Sequence, residues 1–158
     1  MKNINEIGLD ISKSRFTADK LNLLLANYAV FYQNTRGLHW HIKGNEFFEL
    51  HDKYEEIYSD LEVKIDEVAE RILTLGHSPE HKYSKYLEVS TVPECQGISE
   101  AKKGVEHVLD GLLILLSIQR DILDMAADAK DEGTVAQMSD YIQQQEKLVW
   151  MYTAYLNK

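Results

Sequence analysis

Cysteine, proline and long apolar runs are scarce in this chain of 158 residues. Its one cysteine, Cys95, cannot form an intrachain disulfide, which is consistent with a reducing compartment. No run of about eighteen uncharged apolar residues occurs, so the sequence predicts no membrane span. The N-terminal stretch MKNINEIGLDISKS also lacks the apolar segment of a secretory signal. We therefore expect a cytoplasmic protein with no membrane partner.

Basic residues are a minority. The chain has 17 Lys and Arg against 26 Asp and Glu, which gives a net charge of −9. A surface with this balance is repelled by the phosphates of DNA and of anionic membranes. The first sixteen residues carry Lys2, Lys13 and Arg15 against Glu6 and Asp10, so they do not form a basic tail. The sequence predicts no appreciable DNA binding near neutral pH.

The two prolines, Pro79 and Pro93, both lie near the middle of the chain and leave two long proline-free halves. In the first half, apolar residues recur at alternating spacings of three and four over residues 21–42 and again over residues 50–75. This period predicts two amphipathic helices in succession.

Local signals predict where these helices begin and end. Thr17 is expected to cap the first helix, Gly44 to end it, and Asn45 to cap the second. The segment 77–98 holds both prolines and is expected to be a long crossover, with a short helix over residues 82–89.

The second half contains two further helical patterns. Ser99 is expected to open the third helix and Gly133 to break it, with Thr134 and Gln137 forming a capping box for the fourth. Long helices joined by a tight turn, a long crossover and another tight turn are typical of one fold. The prediction is an all-α, ferritin-like four-helix bundle with a short extra helix in the central crossover, built as a single domain of residues 1–158.

The second helix carries two pairs of metal-ligand side chains. His51 and Glu55 are four residues apart, and Asp66 and Glu70 repeat that spacing, so each pair shares a helix face. At 100° per residue these four positions fall about 100° to 200° away from Leu50, outside the apolar stripe. We expect them to point out of their own bundle.

Axial distance prevents one chain from completing a site with both pairs. Fifteen residues separate His51 from Asp66, or about 22 Å along a helix. Two copies of the helix packed antiparallel, about a two-fold axis near residues 60–61, would bring the first pair of each copy to the second pair of the other. A two-fold interface is self-complementary, so each dimer would carry two equivalent sites.

His39 is expected to join this site. It lies five residues before Gly44 and His51 lies seven after it, so an antiparallel hairpin would put both imidazoles at one level. Two imidazoles with three carboxylates suit ferrous iron, and zinc or manganese could substitute for it. No histidine here has Glu three residues before it, so the Glu-x-x-His motif of intrasubunit di-iron bundles is missing.

Two stretches resemble the signatures of the Dps family (DNA-binding protein from starved cells, or mini-ferritins). They are HWHIKGNEFFELHDKYE, residues 39–55, and IDEVAERILTLGHSP, residues 65–79. The resemblance implies a hollow dodecamer that oxidises Fe(II), preferentially with hydrogen peroxide, stores ferric mineral and protects DNA and the cell from oxidative stress. It also implies ferroxidase sites at two-fold interfaces. The ligands it implies are His39, His51 and Glu55 from one subunit and Asp66 and Glu70 from its partner.

The resemblance extends to residues outside the ligand set. Trp40 matches a tryptophan beside the site that is thought to intercept oxidising equivalents. Position 55 is more often aspartate in the family, and Glu55 adds a methylene group. Acidic residues late in the third helix and just after it could line the three-fold pores of such a cage, or could form an ordinary solvated face: Asp121, Asp124, Asp128, Asp131 and Glu132.

Two other functions compete with this interpretation. One is compaction of DNA, but twelve chains of net charge −9 sum to −108, and such a shell is repelled by the phosphate backbone. The other is a ferritin-like enzyme acting on a different substrate, such as a manganese catalase. The intersubunit ligand set and the short chain argue against it.

Overall fold

A computed structural model describes residues 3–157; Lys2 and Lys158, which enter the charge argument above, lie outside the described residues. The described part of the chain is helical and contains no β-strand, apart from an isolated bridge between Ile4 and Asp10. Its five helices are α1 (Ile11–His41), α2 (Phe47–Thr74), α3 (Tyr83–Val89), α4 (Ala101–Asp128) and α5 (Glu132–Tyr155).

The four long helices form the predicted bundle. Helix α1 packs along α2 and α4, α4 packs along α5, and the short α3 lies against α1. Side chains from all four long helices meet in one buried core that includes Phe31, Ile72, Leu112 and Met138. The prediction of an all-α bundle with a short extra helix in the crossover is therefore confirmed.

Helix α1 begins seven residues earlier than the prediction of Thr17 as its N-cap would place it. The cap is Asp10, whose side chain accepts a hydrogen bond from the amide of Lys13. Thr17 is buried inside the helix, where its hydroxyl donates to the carbonyl of Lys13. The prediction was wrong because a threonine hydroxyl also bonds the carbonyl four residues back, and the sequence does not distinguish the two uses.

Two other N-termini also differ from the prediction. Glu46, not Asn45, is the N-cap of α2, and Glu100, not Ser99, is the N-cap of α4. Neither Glu46 nor Glu100 makes a side-chain capping hydrogen bond.

Helix α1 ends at His41 with Ile42 as its C-cap, three residues before Gly44, where it was predicted to end. Gly44 has a φ of 107°, a conformation that glycine adopts without strain, and it lies in the turn between α1 and α2.

The capping box predicted at Thr134 and Gln137 was wrong. Asp131 caps α5 by accepting a hydrogen bond from the amide of Thr134, and Gly133 lies within the first turn of α5. Gly133 faces the guanidinium of Arg71, which would lie only 2.7 Å from a Cβ atom at this position. The glycine therefore makes room for a side chain of α2, and does not break the helix.

Helices α1 and α4 approach closely at Gly111. A Cβ atom there would lie 2.5 Å from the ring of Phe31, which is completely buried. The missing side chain thus lets the ring of α1 pack against the backbone of α4. No helix in the described part of the chain combines the length and apolar character needed to cross a bilayer.

Candidate metal centre

His39 and His51 form a stacked pair where α1 ends and α2 begins. The ring centroids lie 3.7 Å apart and the ring planes differ by 14°. The turn between the two helices is short, so the last turn of α1 runs antiparallel beside the first turn of α2. The prediction that both imidazoles lie at one level is confirmed.

Each of these rings is tied to the main chain of the other. Nδ1 of His39 lies 2.6 Å from the carbonyl oxygen of His51, and Nδ1 of His51 lies 2.8 Å from the carbonyl oxygen of His39. A carbonyl oxygen only accepts hydrogen bonds, so both Nδ1 atoms carry the proton. With Nδ1 occupied in this way, Nε2 is the ring nitrogen left for a ligand, the arrangement that metal-binding histidines generally have.

Two aromatic side chains hold this pair from either side. Phe47 stacks on His51 at 4.9 Å and 19°, so the ring of His51 lies between Phe47 and His39. Tyr58 meets the ring of His39 edge-on at 5.3 Å. Because both flanks are occupied, neither imidazole can rotate freely away from its position.

The carboxylates predicted as ligands lie on the outer surface of α2. Glu55 follows His51 by one helical turn and is exposed, and Asp66 and Glu70 are exposed further along the same unbroken helix. Asp66 therefore stays about 22 Å from His51 along the axis. Within residues 3–157 no group of three or more His, Cys, Asp or Glu side chains is arranged to hold a metal ion. One chain brings the two histidines together and leaves Asp66 and Glu70 apart from them.

Trp40 is 56% exposed and lies at the end of a series of contacts that leads to His39. The guanidinium of Arg36 lies 5.0 Å from the ring centroid of Trp40 and 5.3 Å from that of Tyr32. Tyr32 in turn meets Tyr58 edge-on at 6.0 Å, and Tyr58 touches His39. The five side chains form one continuous surface beside the histidine pair.

Phe47 and Tyr58 were not predicted to be part of the site. Tyr58 follows His51 by seven residues, which is two helical turns, and this spacing was the available signal. Partial burial raises the pKa of the Tyr58 hydroxyl, and the nearby negative charge of Glu55 adds to the effect. The phenol is therefore protonated near neutral pH and could donate a hydrogen bond at the site.

The five acidic residues considered for a pore do not form one exposed group. Asp131 is only 2% exposed; its carboxylate bonds Arg71 at 2.5 Å and also the hydroxyl of Thr134. It is a buried helix cap paired with an internal cation, so the expectation that it lines a pore is corrected. The exposed members are Asp121, Asp124, Asp128 and Glu132.

Neutral side chains occupy the interior of the bundle between α1, α4 and α5. The hydroxyl of Tyr28 donates to the amide oxygen of Gln119, whose amide nitrogen donates to Gln145 at 2.8 Å. Gln145 closes the ring by donating to the Tyr28 hydroxyl at 3.2 Å. Burial raises the pKa of Tyr28 well above its ordinary value. This closed set of uncharged groups stabilises the core and supplies no carboxylate ligand.

Comparisons with known proteins agree with this architecture. The family described as "Ferritin-like domain" matches residues 18–158. An uncharacterized protein of Haemophilus influenzae is 57% identical and covers 94% of this chain and 92% of its own length. The "DNA protection during starvation protein" of Porphyromonas gingivalis is 46% identical over the whole of both chains.

A solved structure is closely similar. The Dps protein of Vibrio cholerae O1, described as "a member of a broad superfamily of ferritin-like diiron-carboxylate proteins", superposes with a TM-score of 0.96. It is 55% identical to this chain, and the match covers 99% of this chain and 98% of that one. With the bundle, the histidine pair and these relatives in agreement, the chain belongs to the Dps family of ferritin-like proteins.

Proposed function

We propose that this protein stores iron and protects its cell from oxidative stress by oxidising Fe(II) at sites that two subunits share. The observation that carries the proposal is the reciprocal bonding of His39 and His51. Both rings are held with Nδ1 on a main-chain carbonyl and Nε2 left for a ligand, and Glu55 stands one turn away on the outer face of α2. Such pre-orientation of imidazoles is characteristic of metal sites.

The missing ligands come from a second copy. Asp66 and Glu70 lie on the same outer face as His51 and Glu55, and an antiparallel two-fold pairing of α2 brings them to the histidine pair of the partner. The partner's carboxylates would then complement a half-site that already holds two oriented imidazoles. Each of the two sites in a dimer would offer two imidazoles and three carboxylates.

The chemistry of this ligand set favours oxidation of the bound iron. Carboxylates are hard ligands that stabilise Fe(III) relative to Fe(II), so they lower the barrier to loss of an electron. Two Fe(II) ions each give one electron to hydrogen peroxide, the O–O bond breaks, and two protons complete two water molecules. Delivery of both electrons to one peroxide avoids release of hydroxyl radical. Trp40 is placed to give up an electron if a single-electron oxidant escapes.

Storage requires a cavity and a path for cations. We infer a hollow homododecamer, with Asp121, Asp124, Asp128 and Glu132 lining its pores. Helix α4 ends with Asp124 and Asp128 in its last turns and no basic residue there. Carboxylates at the negative end of a helix dipole are unfavourable for folding. Asp128 is balanced there by Lys13 at 3.2 Å, and a role in attracting Fe(II) accounts for the position of Asp124.

The name of the Porphyromonas relative refers to DNA protection, and here we propose that protection is chemical. Removal of Fe(II) and peroxide prevents radical damage without contact between protein and DNA. Compaction of DNA by direct binding is the alternative, and the charge of −9 per chain disfavours it. A manganese catalase activity would instead release oxygen from peroxide in the absence of iron.

The test is oxidation of Fe(II), added anaerobically and followed by its ferric absorbance after addition of hydrogen peroxide. We expect His51→Ala to slow oxidation more than about tenfold, since loss of an outer-shell partner of a metal ligand alone typically costs 10–100-fold. His41→Ala is the matched control, because His41 is exposed in the same last turn of α1. Oxidation no faster than in buffer for all three proteins would refute the proposal. The same assay with Zn(II) or Mn(II) as competitor measures whether these ions substitute for iron.

A further inference from the structure

Three large apolar side chains stand exposed on α2, the helix that carries the proposed ligands. Phe48 is 77% exposed, Leu73 57% and Val63 56%. Phe48 and Leu73 lie at opposite ends of the helix, yet on a helical wheel they fall within about 20° of each other. They bracket the face that carries Glu55 and Asp66, so this face is apolar at both ends.

The two-fold pairing of α2 assigns each residue a partner. When His51 meets Glu70 and Glu55 meets Asp66, the positions in each pair sum to 121, so the axis passes between residues 60 and 61. Helix α2 runs from residue 47 to residue 74, and this axis coincides with its midpoint. The same relation pairs position 48 with position 73. No further assumption is needed to bring Phe48 of one copy to Leu73 of the other.

Contacts within the subunit connect Phe48 to the histidine pair. Its ring meets that of Phe47 edge-on at 5.2 Å, and Phe47 stacks on His51. Phe48 precedes His51 by three residues, and Leu73 follows Glu70 by three, or about 4.5 Å along the axis in each case. Both apolar side chains therefore lie one helical turn beyond the ligand pair at the same end of the site.

We propose that Phe48 of one subunit packs on Leu73 of the partner subunit, and that this contact forms the apolar end wall of each shared metal site. The proposal rests on the two-fold arrangement of the proposed function and names residues that stabilise it. Two such contacts per dimer remove four exposed apolar side chains from water, which favours association. They also keep water from one end of the ligand cluster and strengthen the electrostatic attraction between the carboxylates and the cation.

Cross-linking tests the contact without reference to iron chemistry. Phe48→Cys and Leu73→Cys are combined in a Cys95→Ser background, and the protein is treated with a short bismaleimide that joins two thiols. We expect a covalent dimer on a denaturing gel for this pair and little dimer for either single substitution. The matched control combines Phe48→Cys with Val63→Cys, because Val63 is as exposed as Leu73 but pairs with position 58 in the two-fold arrangement.

A dimer band that is absent from the first pair, or equal in the two pairs, would overturn the proposed contact. Circular dichroism shows whether each variant keeps its helices, which is expected because all three replaced apolar side chains are exposed. A second measurement is the affinity for Zn(II), which we expect to fall several-fold in Leu73→Ala and to be unchanged in Leu113→Ala, a similarly exposed leucine on α4. An equal affinity in both variants would refute the end wall.

The two proposals fail separately. If cross-linking fails while His51→Ala still slows iron oxidation, the end wall is wrong and the ferroxidase proposal stands. If cross-linking succeeds while oxidation does not depend on His51, the interface is right and the ferroxidase proposal is wrong.

Discussion

The imidazoles of His39 and His51 each donate a hydrogen bond to the main-chain carbonyl of the other residue, although twelve positions separate them in the chain. Because each bond ends on the backbone of its partner, replacing one ring leaves the other ring's acceptor in place. The end of α1 and the start of α2 are thereby joined at the level of the candidate metal centre. Half of the proposed site is organised before a second subunit arrives.

The proposed sharing of each site between two subunits predicts complementation. His51→Ala and Asp66→Asn should each abolish most oxidation alone, since every site in either homodimer lacks a ligand. In a mixed dimer one site carries both substitutions and the other carries neither. Random pairing of equal amounts should therefore restore about one quarter of the native sites.

This is measured as the initial rate of peroxide-dependent Fe(II) oxidation after co-expression of the two variants. A mixture that remains as inactive as its parents would show that each site is built within one subunit. Co-expression of His51→Ala with Glu55→Gln is the matched control, because both residues belong to the same half-site and no mixed dimer regains an intact one.

Asp131 is predicted to matter for stability. Asp131→Ala removes the cap of α5 and leaves Arg71 without its buried anion, so we expect a loss of about 3 kcal/mol in the free energy of unfolding. Asp128→Ala is the control, because Asp128 forms only an exposed ion pair with Lys13 and should cost less than about 1 kcal/mol. Urea unfolding followed by circular dichroism measures both. Equal losses would contradict the buried-cap interpretation.

Replacing two helical glycines by alanine should change the stability of the protein in opposite directions. Alanine is favoured over glycine in a helix by about 1 kcal/mol, and nothing lies within 4 Å of a Cβ at Gly37, so Gly37→Ala should be stabilising. At Gly111 the new methyl meets the buried ring of Phe31 at 2.5 Å, and overpacking of this kind costs about 1–3 kcal/mol. We expect Gly111→Ala to lower the thermal midpoint. A higher thermal midpoint in both variants would mean that the Phe31 ring moves aside readily.

The burial of His107 predicts that the folded protein loses stability in acid. Burial lowers its pKa below the ordinary value of 6.5, although Asp110 opposes the shift, and the amide of Asn34 bonds its Nε2 at 3.2 Å. The unfolded chain therefore binds a proton more readily than the folded one. The contribution of the neutral ring is present above pH 6.5 and is lost as the pH falls below it, towards and through the lowered pKa.

The thermal midpoint between pH 7 and pH 5 measures this effect in the native protein and in His107→Gln. Glutamine can accept the Asn34 hydrogen bond but does not titrate. We expect its midpoint to depend less steeply on pH than that of the native protein. Identical slopes would exclude His107 as a source of the acid sensitivity.

DNA binding provides a test of the alternative function. With a net charge of −9 per chain, the assembled protein should leave plasmid DNA unshifted in an agarose gel at low salt near neutral pH. Retention of the plasmid that disappears as salt is raised would show phosphate contacts and would favour a DNA-compacting role.

The sequence alone determined the number and order of the helices and the face of α2 on which the proposed ligands stand. Both follow from the 3.6-residue period, which depends only on neighbours three and four positions away. Helix starts were less predictable. Thr17 and Thr134 were expected at caps, but Asp10 and Asp131 hold those positions, because hydroxyl and carboxylate side chains compete for the same amides.

Tertiary structure decided how distant residues meet. The stacking of His39 on His51 depends on how tightly α1 and α2 pack across their turn, and the identity of Phe47 and Tyr58 as its flanking rings depends on side-chain rotamers. In the sequence, Asp131 cannot be distinguished from its exposed acidic neighbours. Its carboxylate is buried because packing brings Arg71, sixty positions away, into contact with it. Local periodicity specifies which face of a helix is apolar, whereas burial of one particular charge depends on the partner that packing brings to it.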